Sequence, residues 1–257
     1  MRTDTIRLPG HGNTKMVAHR GVSGLECENT AAAFIAAGNR SYWGVETDIW
    51  RTIDRKYMCN HDGRTGRICD TDLVIEKSTF EALRSLRLRD TDGKSDRGEI
   101  MLCTPAEYRK ICEKYGKVCV PELKSNFTED EIAEIIGIFE GYLDKTVFIA
   151  FNIANLDLVL RVKPDQTCQF LTGSWNDSLP DMLAERKMDL DIAWPALTEE
   201  RIAACHEKGI LVNCWTVDDP AKAEMLIGWG VDYITSNILE YYESISKLPN
   251  LRDAFPP

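Results

Sequence analysis

The stretch GVETDIWR at positions 44–51 decides how this chain folds. Side chains two apart in a strand point to the same side. Glu46, Asp48 and Trp50 therefore share one face, and Val45, Thr47 and Ile49 the other. The second set suits packing against helices. The first would put two carboxylates on the inner face of a sheet, the situation of a barrel strand whose outside carries the helices. The chain on either side repeats the rhythm of short β-branched runs alternating with amphipathic stretches, as in βα units around a parallel sheet. Strands are predicted at 16–19, 44–51, 118–122, 147–151, 167–171, 190–193, 210–215 and 233–235. Helices are predicted at 30–38, 105–115, 128–143, 154–162, 177–187, 198–208 and 219–228, with a last one beginning near Asn237. Eight strands with intervening helices match a closed (β/α)₈ TIM barrel. An open doubly wound sheet would carry a glycine-rich fingerprint after the first strand, and none is present.

At 257 residues the chain is read as a single domain, 1–257. One stretch, about 63–101, interrupts the alternation: it is charged, with mixed character around Leu73–Leu88. It reads as an insertion after the second strand, expected to cover the active-site mouth and shape substrate choice.

Composition narrows the function. The net charge of −10, with no basic stripe and interleaved aromatics, argues against nucleic acid. An enzyme acting on an anionic substrate would then need local positive charge from a metal or a few placed Lys and Arg. Nine scattered cysteines with no Cys-x-x-Cys pair read as reduced thiols of a cytoplasmic protein. The first fifteen residues have no apolar core of a leader, and no run reaches the roughly 18 apolar residues of a membrane span.

The chemistry-bearing residues cluster by position. Two carboxylates on the inner face of a strand are costly unless compensated. A divalent cation would compensate them, and so would Arg or Lys on neighbouring strands. Glu122 and Lys124 share a face at the end of the third strand, where barrel active sites are built. Either they form an i, i+2 ion pair, or Glu122 is a third oxygen ligand and Lys124 a point charge for phosphate. Taken together, Glu46, Asp48 and Glu122 match a hard-cation site for Mg²⁺ or Ca²⁺. Of four histidines, His19 and His61 are expected at strand ends near these carboxylates, where two imidazoles can act as general base and general acid. His11 and His206 read as structural or solvated. Asn29 or Thr30 reads as the cap of the first helix. Trp50 reads as barrel core and Trp215 as pocket wall.

In order, His19-Arg20-Gly21, Glu28-Asn29-Thr30, Glu46-x-Asp48, His61-Asp62, Glu122-x-Lys124, Trp215-Thr216-Val217 and Gly230-Val231-Asp232 with Ile234-Thr235 resemble the signature of the glycerophosphodiester phosphodiesterase family. The resemblance covers roughly Met16 to Glu240. It implies a (β/α)₈ barrel that hydrolyses glycerophosphodiesters to glycerol 3-phosphate and an alcohol with a divalent metal. It further implies His19 and His61 as the acid–base pair and Glu46, Asp48 and Glu122 as metal ligands. Arg20 and Lys124 would contact phosphate, Glu28 would lie nearest metal and glycerol, and Trp215 would wall the glycerol side. The chain departs from the family pattern at Cys27 for Pro, Arg55 for Gly, Ala150 for Ser, and Ser236-Asn237 where Asp and Pro are common. None of these removes a catalytic group.

The expected function is hydrolysis of a small glycerophosphodiester. One alternative is a phospholipase-D-like hydrolase of lysolipids, which would want an apolar lip such as Leu73, Val74, Ile75 and Phe80 could supply. The other is a non-catalytic phosphodiester-binding barrel, which would have no use for an acid–base pair.

Overall fold

A computed structural model describes residues 3–241. Eight parallel strands close on one another: β2 Lys15–Ala18, β3 Gly44–Arg51, β5 Val118–Leu123, β6 Phe148–Ala150, β7 Cys168–Thr172, β8 Asp189–Ala193, β9 Val212–Trp215 and β10 Tyr233–Ser236. Pairing of β10 with β2 and of β2 with β3 completes the circle. The fold is thus the expected (β/α)₈ barrel.

Local signals set the helix ends. Helix α1, Ala31–Gly38, begins at Thr30, whose hydroxyl accepts from Ala33 N. Helices α3 (Pro105–Tyr115) and α4 (Glu129–Ile138) open with complete capping boxes, Thr104 with Glu107 and Thr128 with Glu131. Helices α5 Ile153–Val162, α6 Leu179–Arg186, α7 Glu199–His206 and α8 Pro220–Gly228 come after their strands in turn. Helix α4 stops at Ile138, short of the expected 143, because the chain turns through Gly141 at φ +79°. On β3 the outward Val45 and Ile49 enter the main core with Phe34, Tyr108 and Leu123. The barrel interior holds a smaller apolar layer of Val17, Val120, Val147, Ile149 and Leu171.

Three elements differ from expectation. The last helix, predicted near Asn237, is instead strand β11, Leu239–Tyr241, parallel to β1, Ile6–Leu8; the rest of that predicted helix lies outside the described residues. Its alternation puts Leu239 and Tyr241 into the main core and leaves Glu240 for Arg7 and Ser41, a period of two rather than 3.6. His61 does not end a barrel strand. It comes after β4, Tyr57–Cys59, which runs antiparallel to β3 and returns the chain so that Asn60 N donates to Asp48 O. Trp50 lies outside the barrel core. Its ring packs against a separate apolar cluster, and its Nε1 donates to His61 O at 3.2 Å.

That cluster joins Cys27 and Met58 to Ile68, Ile75, Leu83, Leu88 and Ile100 of the segment at 63–101, which also carries helix α2, Phe80–Arg84. Ile75 is fully buried in it, and Leu73 and Phe80 pack on its edge. Of the apolar residues that could have formed a lipid-facing lip, Ile75 is thus turned inward, while Leu73, Val74 and Phe80 stay partly exposed.

Candidate active site

The first loop sets the backbone of the site. Arg20 (φ +54°) and Gly21 (φ +77°) turn the chain directly after β2. A Cβ on Gly21 would come within 2.6 Å of the Ala33 backbone, so the His-Arg-Gly turn requires glycine. The turn aims Arg20 N at Glu46 Oε2, 2.7 Å away, and brings Arg20 Nη1 to 3.1 Å from Glu28 Oε1.

Register does the rest. Asp48 pairs with Glu122 across β3 and β5, so Glu46, Asp48 and Glu122 each bring a carboxylate oxygen within 4.8 Å of the others. All three are buried. The ion pairs that the sequence left open are present, beside a triad that could also hold a cation: Lys124 Nζ lies 3.0 Å from Glu122 Oε1 and 3.3 Å from Asp48 Oδ1, and Arg20 Nε lies 3.8 Å from Asp48 Oδ2. The contact of Lys124 with Asp48 is not an aligned hydrogen bond. Among the described residues, Asp48 Oδ1 and Arg20 Nε have no hydrogen-bond partner.

Two cations do not offset three crowded carboxylates. Burial, then the charge of Asp48, pushes the Glu46 carboxyl well above the usual range and Glu122 up to about 7. Asp48 is buried too, but Lys124 and Arg20 outweigh the desolvation and hold it below its ordinary value. Oxygen donors and close mutual approach fit a hard divalent cation, whose charge would counter the upward push on the Glu46 and Glu122 carboxyls.

The two histidines are held differently. His19 Nδ1 is 2.7 Å from Asn237 Oδ1. The Asn237 amide is oriented by its own Nδ2, which donates to Asp218 Oδ2 at 2.6 Å, so its oxygen must accept from His19. That leaves Nε2, 4.0 Å from Glu46 Oε2, as the basic nitrogen. Burial, then the neighbouring Arg20, lowers His19 to about 4. His61 Nδ1 instead meets a carboxylate, Asp62 Oδ1, at 2.8 Å. Burial also lowers His61, with Arg20 and Lys124 adding to the effect, and the charge of Asp48 and the hydrogen bond to Asp62 offset it only in part.

A pocket of about 150 Å³, open at its mouth, connects these groups. His19, Arg20, Glu46, His61 and Glu122 lie on one side; Phe151, Trp215, Leu171 and Asp191 lie on the other. Trp215 packs edge-on against Phe151, 5.6 Å between ring centroids.

Residues 19–240 match the Glycerophosphoryl diester phosphodiesterase family. The chain belongs to that family. As one of the glycerophosphodiester phosphodiesterases it is a phosphoric diester hydrolase, and its reaction class is the hydrolysis of glycerophosphodiesters. A glycerophosphodiester phosphodiesterase of Caldanaerobacter subterraneus is 24% identical over 234 residues, covering 87% of this chain and 94% of that protein. A glycerophosphodiester phosphodiesterase structure from Parabacteroides distasonis is 27% identical with a TM-score of 0.74, covering 89% and 94% of the two chains. A phosphodiesterase of Oleispira antarctica, solved with its product sn-glycerol-3-phosphate, shares the fold with a TM-score of 0.81 at 24% identity, covering 90% and 93%. No helix among the described residues is long and apolar enough to cross a membrane.

Every site residue named from sequence gathers here: His19, Arg20, Glu28, Glu46, Asp48, His61, Glu122, Lys124 and Trp215. Four further residues escaped that reading. Asn29 is not the helix cap, a role Thr30 fills. It sits buried at φ +57°, donates to Asp48 Oδ2 at 2.8 Å and accepts from Thr47 Oγ1 at 2.7 Å. Arg67, from the segment at 63–101, chelates Glu28 with Nη1 and Nη2 at 2.7 and 2.6 Å and reaches Asp62 with Nε. Asn237 holds His19. Asp191 lines the pocket. Only Asp191 carried a signal, a carboxylate inside a predicted barrel strand, as at Glu46.

Proposed function

We propose that this chain hydrolyses small glycerophosphodiesters, such as glycerophosphocholine or glycerophosphoethanolamine, with a Mg²⁺ or Ca²⁺ ion held by Glu46, Asp48 and Glu122. The unequal anchoring of the two imidazoles beside an acidic triad carries this reading. When bound, the cation would neutralise a non-bridging phosphate oxygen and offset the mutual repulsion of its ligands. Arg20 and Lys124 flank the same position and share the charge that develops on the phosphoryl oxygens.

The partners of the histidines support a division of labour. His19, neutral with Nε2 free, takes a proton, and His61, backed by Asp62, gives one. The glyceryl hydroxyl next to the phosphorylated oxygen is the nucleophile, since attack within one molecule gains the effective concentration of a positioned group. Its oxygen bonds to phosphorus as its proton passes to His19 Nε2. The bond from phosphorus to the head-group oxygen breaks, and that oxygen leaves with the proton from His61. Water then opens the cyclic phosphate with the two roles reversed, which yields glycerol phosphate. The segment at 63–101 contributes Arg67, which holds Glu28 at the mouth and so shapes substrate choice.

Glycerophosphocholine and its 2-deoxy analogue test the route, with His19→Ala and His61→Ala as controls. The deoxy compound should bind but scarcely react. Turnover of both at similar rates through the same histidines would replace the internal nucleophile by water.

A further inference from the structure

Asp191 stands in the middle of β8 with its side chain in the pocket and only 2% of the residue exposed. Its Oδ1 has no hydrogen-bond partner, and no Lys, Arg or His among the described residues pairs with it. Its polar neighbours are already satisfied without it. Gln169 on β7 and Asn213 on β9 reach each other across β8, with Asn213 Nδ2 3.2 Å from Gln169 Oε1, and Asn213 Oδ1 accepts from Thr235 Oγ1 at 3.2 Å. A buried carboxyl without a partner is costly, and leucine, which stands beside it at 171, would fill the position with no such cost. The position makes sense if the missing partner arrives with the substrate.

The chemistry of that partner is set by the surroundings. In the function proposed above the acidic triad would hold the phosphate on the β3–β5 wall, with Ile149 beside Glu122, and Leu171 and Trp215 line the pocket beside Asp191. Resting on the function proposed above, the head group must depart through the open mouth, so the glyceryl group points inward. Of its two hydroxyls one lies next to the reacting phosphorus, and the terminal one is free to reach deeper.

We propose that Asp191 is a specificity-determining residue whose carboxyl pairs with the terminal hydroxyl of the glyceryl group, so that diesters lacking or acylating that hydroxyl are rejected. An ester oxygen there offers no donor for the Asp191 carboxyl to accept from. Lysolipids are thereby excluded by the same residue that selects free glycerol.

The test uses the metal-loaded full chain and three substrates: glycerophosphocholine, its analogue with methyl in place of the terminal hydroxymethyl group, and lysophosphatidylcholine. Wild type should favour the first over each of the others by at least about 100-fold in kcat/KM, as sites built to bond a hydroxyl do. Asp191→Leu should lose activity on the first, keep it on the methyl analogue and bring their ratio near one, whereas Asp191→Asn, which retains an acceptor, should keep most of the preference. Calorimetric binding of glycerol 3-phosphate and of its methyl counterpart should show the same pattern without turnover. A wild-type ratio near one, or an unchanged ratio in Asp191→Leu, overturns the proposal. Should Asp191→Leu fail to fold, the wild-type ratio and Asp191→Asn still decide it. A wild type inactive on all three would sink the functional reading itself, and this assignment with it.

Discussion

Replacing Asn29 should loosen the acidic triad without touching any of its ligands. The side chain is fully buried, and three local interactions depend on it: the bond to Asp48 Oδ2, the acceptor for Thr47 Oγ1, and a backbone at φ +57°. Losing a hydrogen bond to a carboxylate costs about 1.5–3 kcal/mol, and the buried Thr47 hydroxyl left behind adds about 1 kcal/mol. Alanine adds roughly 1–2 kcal/mol for the left-handed backbone, which glycine avoids. Asn29→Gly should therefore lose about 2.5–4 kcal/mol of unfolding free energy in urea titrations, and Asn29→Ala about 1–2 kcal/mol more. The functional consequence comes from orientation. Partners that fix a ligating carboxylate are typically worth 10–100-fold in metal affinity, so calorimetric titration of Asn29→Gly should show a loss of about that size. A glycine variant with wild-type cation affinity and wild-type stability would show that Asn29 holds nothing in place.

Asn237→Leu removes the acceptor that fixes the His19 tautomer and should lower kcat/KM about 10–100-fold while leaving cation affinity near wild type, as separate kinetic and calorimetric titrations would show. Because the folded pKa of His19 is depressed to about 4 rather than raised, its basic form survives acidification: with the cation kept saturating, so that Glu46 and Glu122 stay ionised, kcat/KM should stay level as pH falls past the ordinary histidine value and drop only on approach to about 4. A limb near 6.5 in a full pH profile would assign the base to another group. Arg67→Ala frees Glu28 at the pocket mouth and should raise KM about 10-fold with little change in stability, since Arg67 is nearly half exposed and such pairs contribute little.

What the sequence displayed was period and charge. Alternation in GVETDIWR told the inner face of β3 from its outer face, and Glu46 and Asp48 could be placed together because strand register is a local property. Glu122 joined them through the same period on β5. Residues that hold the site from behind were harder to see, since their roles depend on pairs far apart in the chain. Asn29 looks like a cap because Asn commonly is one; only the position of Asp48 makes it a latch. Asn237 stood out only as a departure from the family pattern, yet its amide oxygen is what His19 requires. Arg67 lies among other arginines of a charged segment, and nothing local separates it from Arg64, which pairs with Asp72 instead. The departure at Arg55 has a plain geometric reading: φ of +56° is a conformation that the usual glycine adopts freely. The tail strand β11 is not legible in the sequence because three residues are too few to show a period, and most of the helix predicted from near Asn237 lies outside the described residues.

The most direct test titrates Mg²⁺ and Ca²⁺ into chelator-treated protein while monitoring glycerophosphocholine hydrolysis, for wild type and for Glu46→Gln, Asp48→Asn and Glu122→Gln. Wild type should lose turnover in chelator, regain it with one equivalent of bound cation, and release protons on binding, as expected where Glu46 and Glu122 are held partly protonated. Each carboxamide variant should bind the cation weakly and turn over at least 100-fold more slowly, about the loss expected when an oriented charge is removed from a buried reacting site. Full hydrolysis in excess chelator, or undiminished activity in the variants, would mean that the triad is an ion-pair network with Lys124 and Arg20 and not a metal centre.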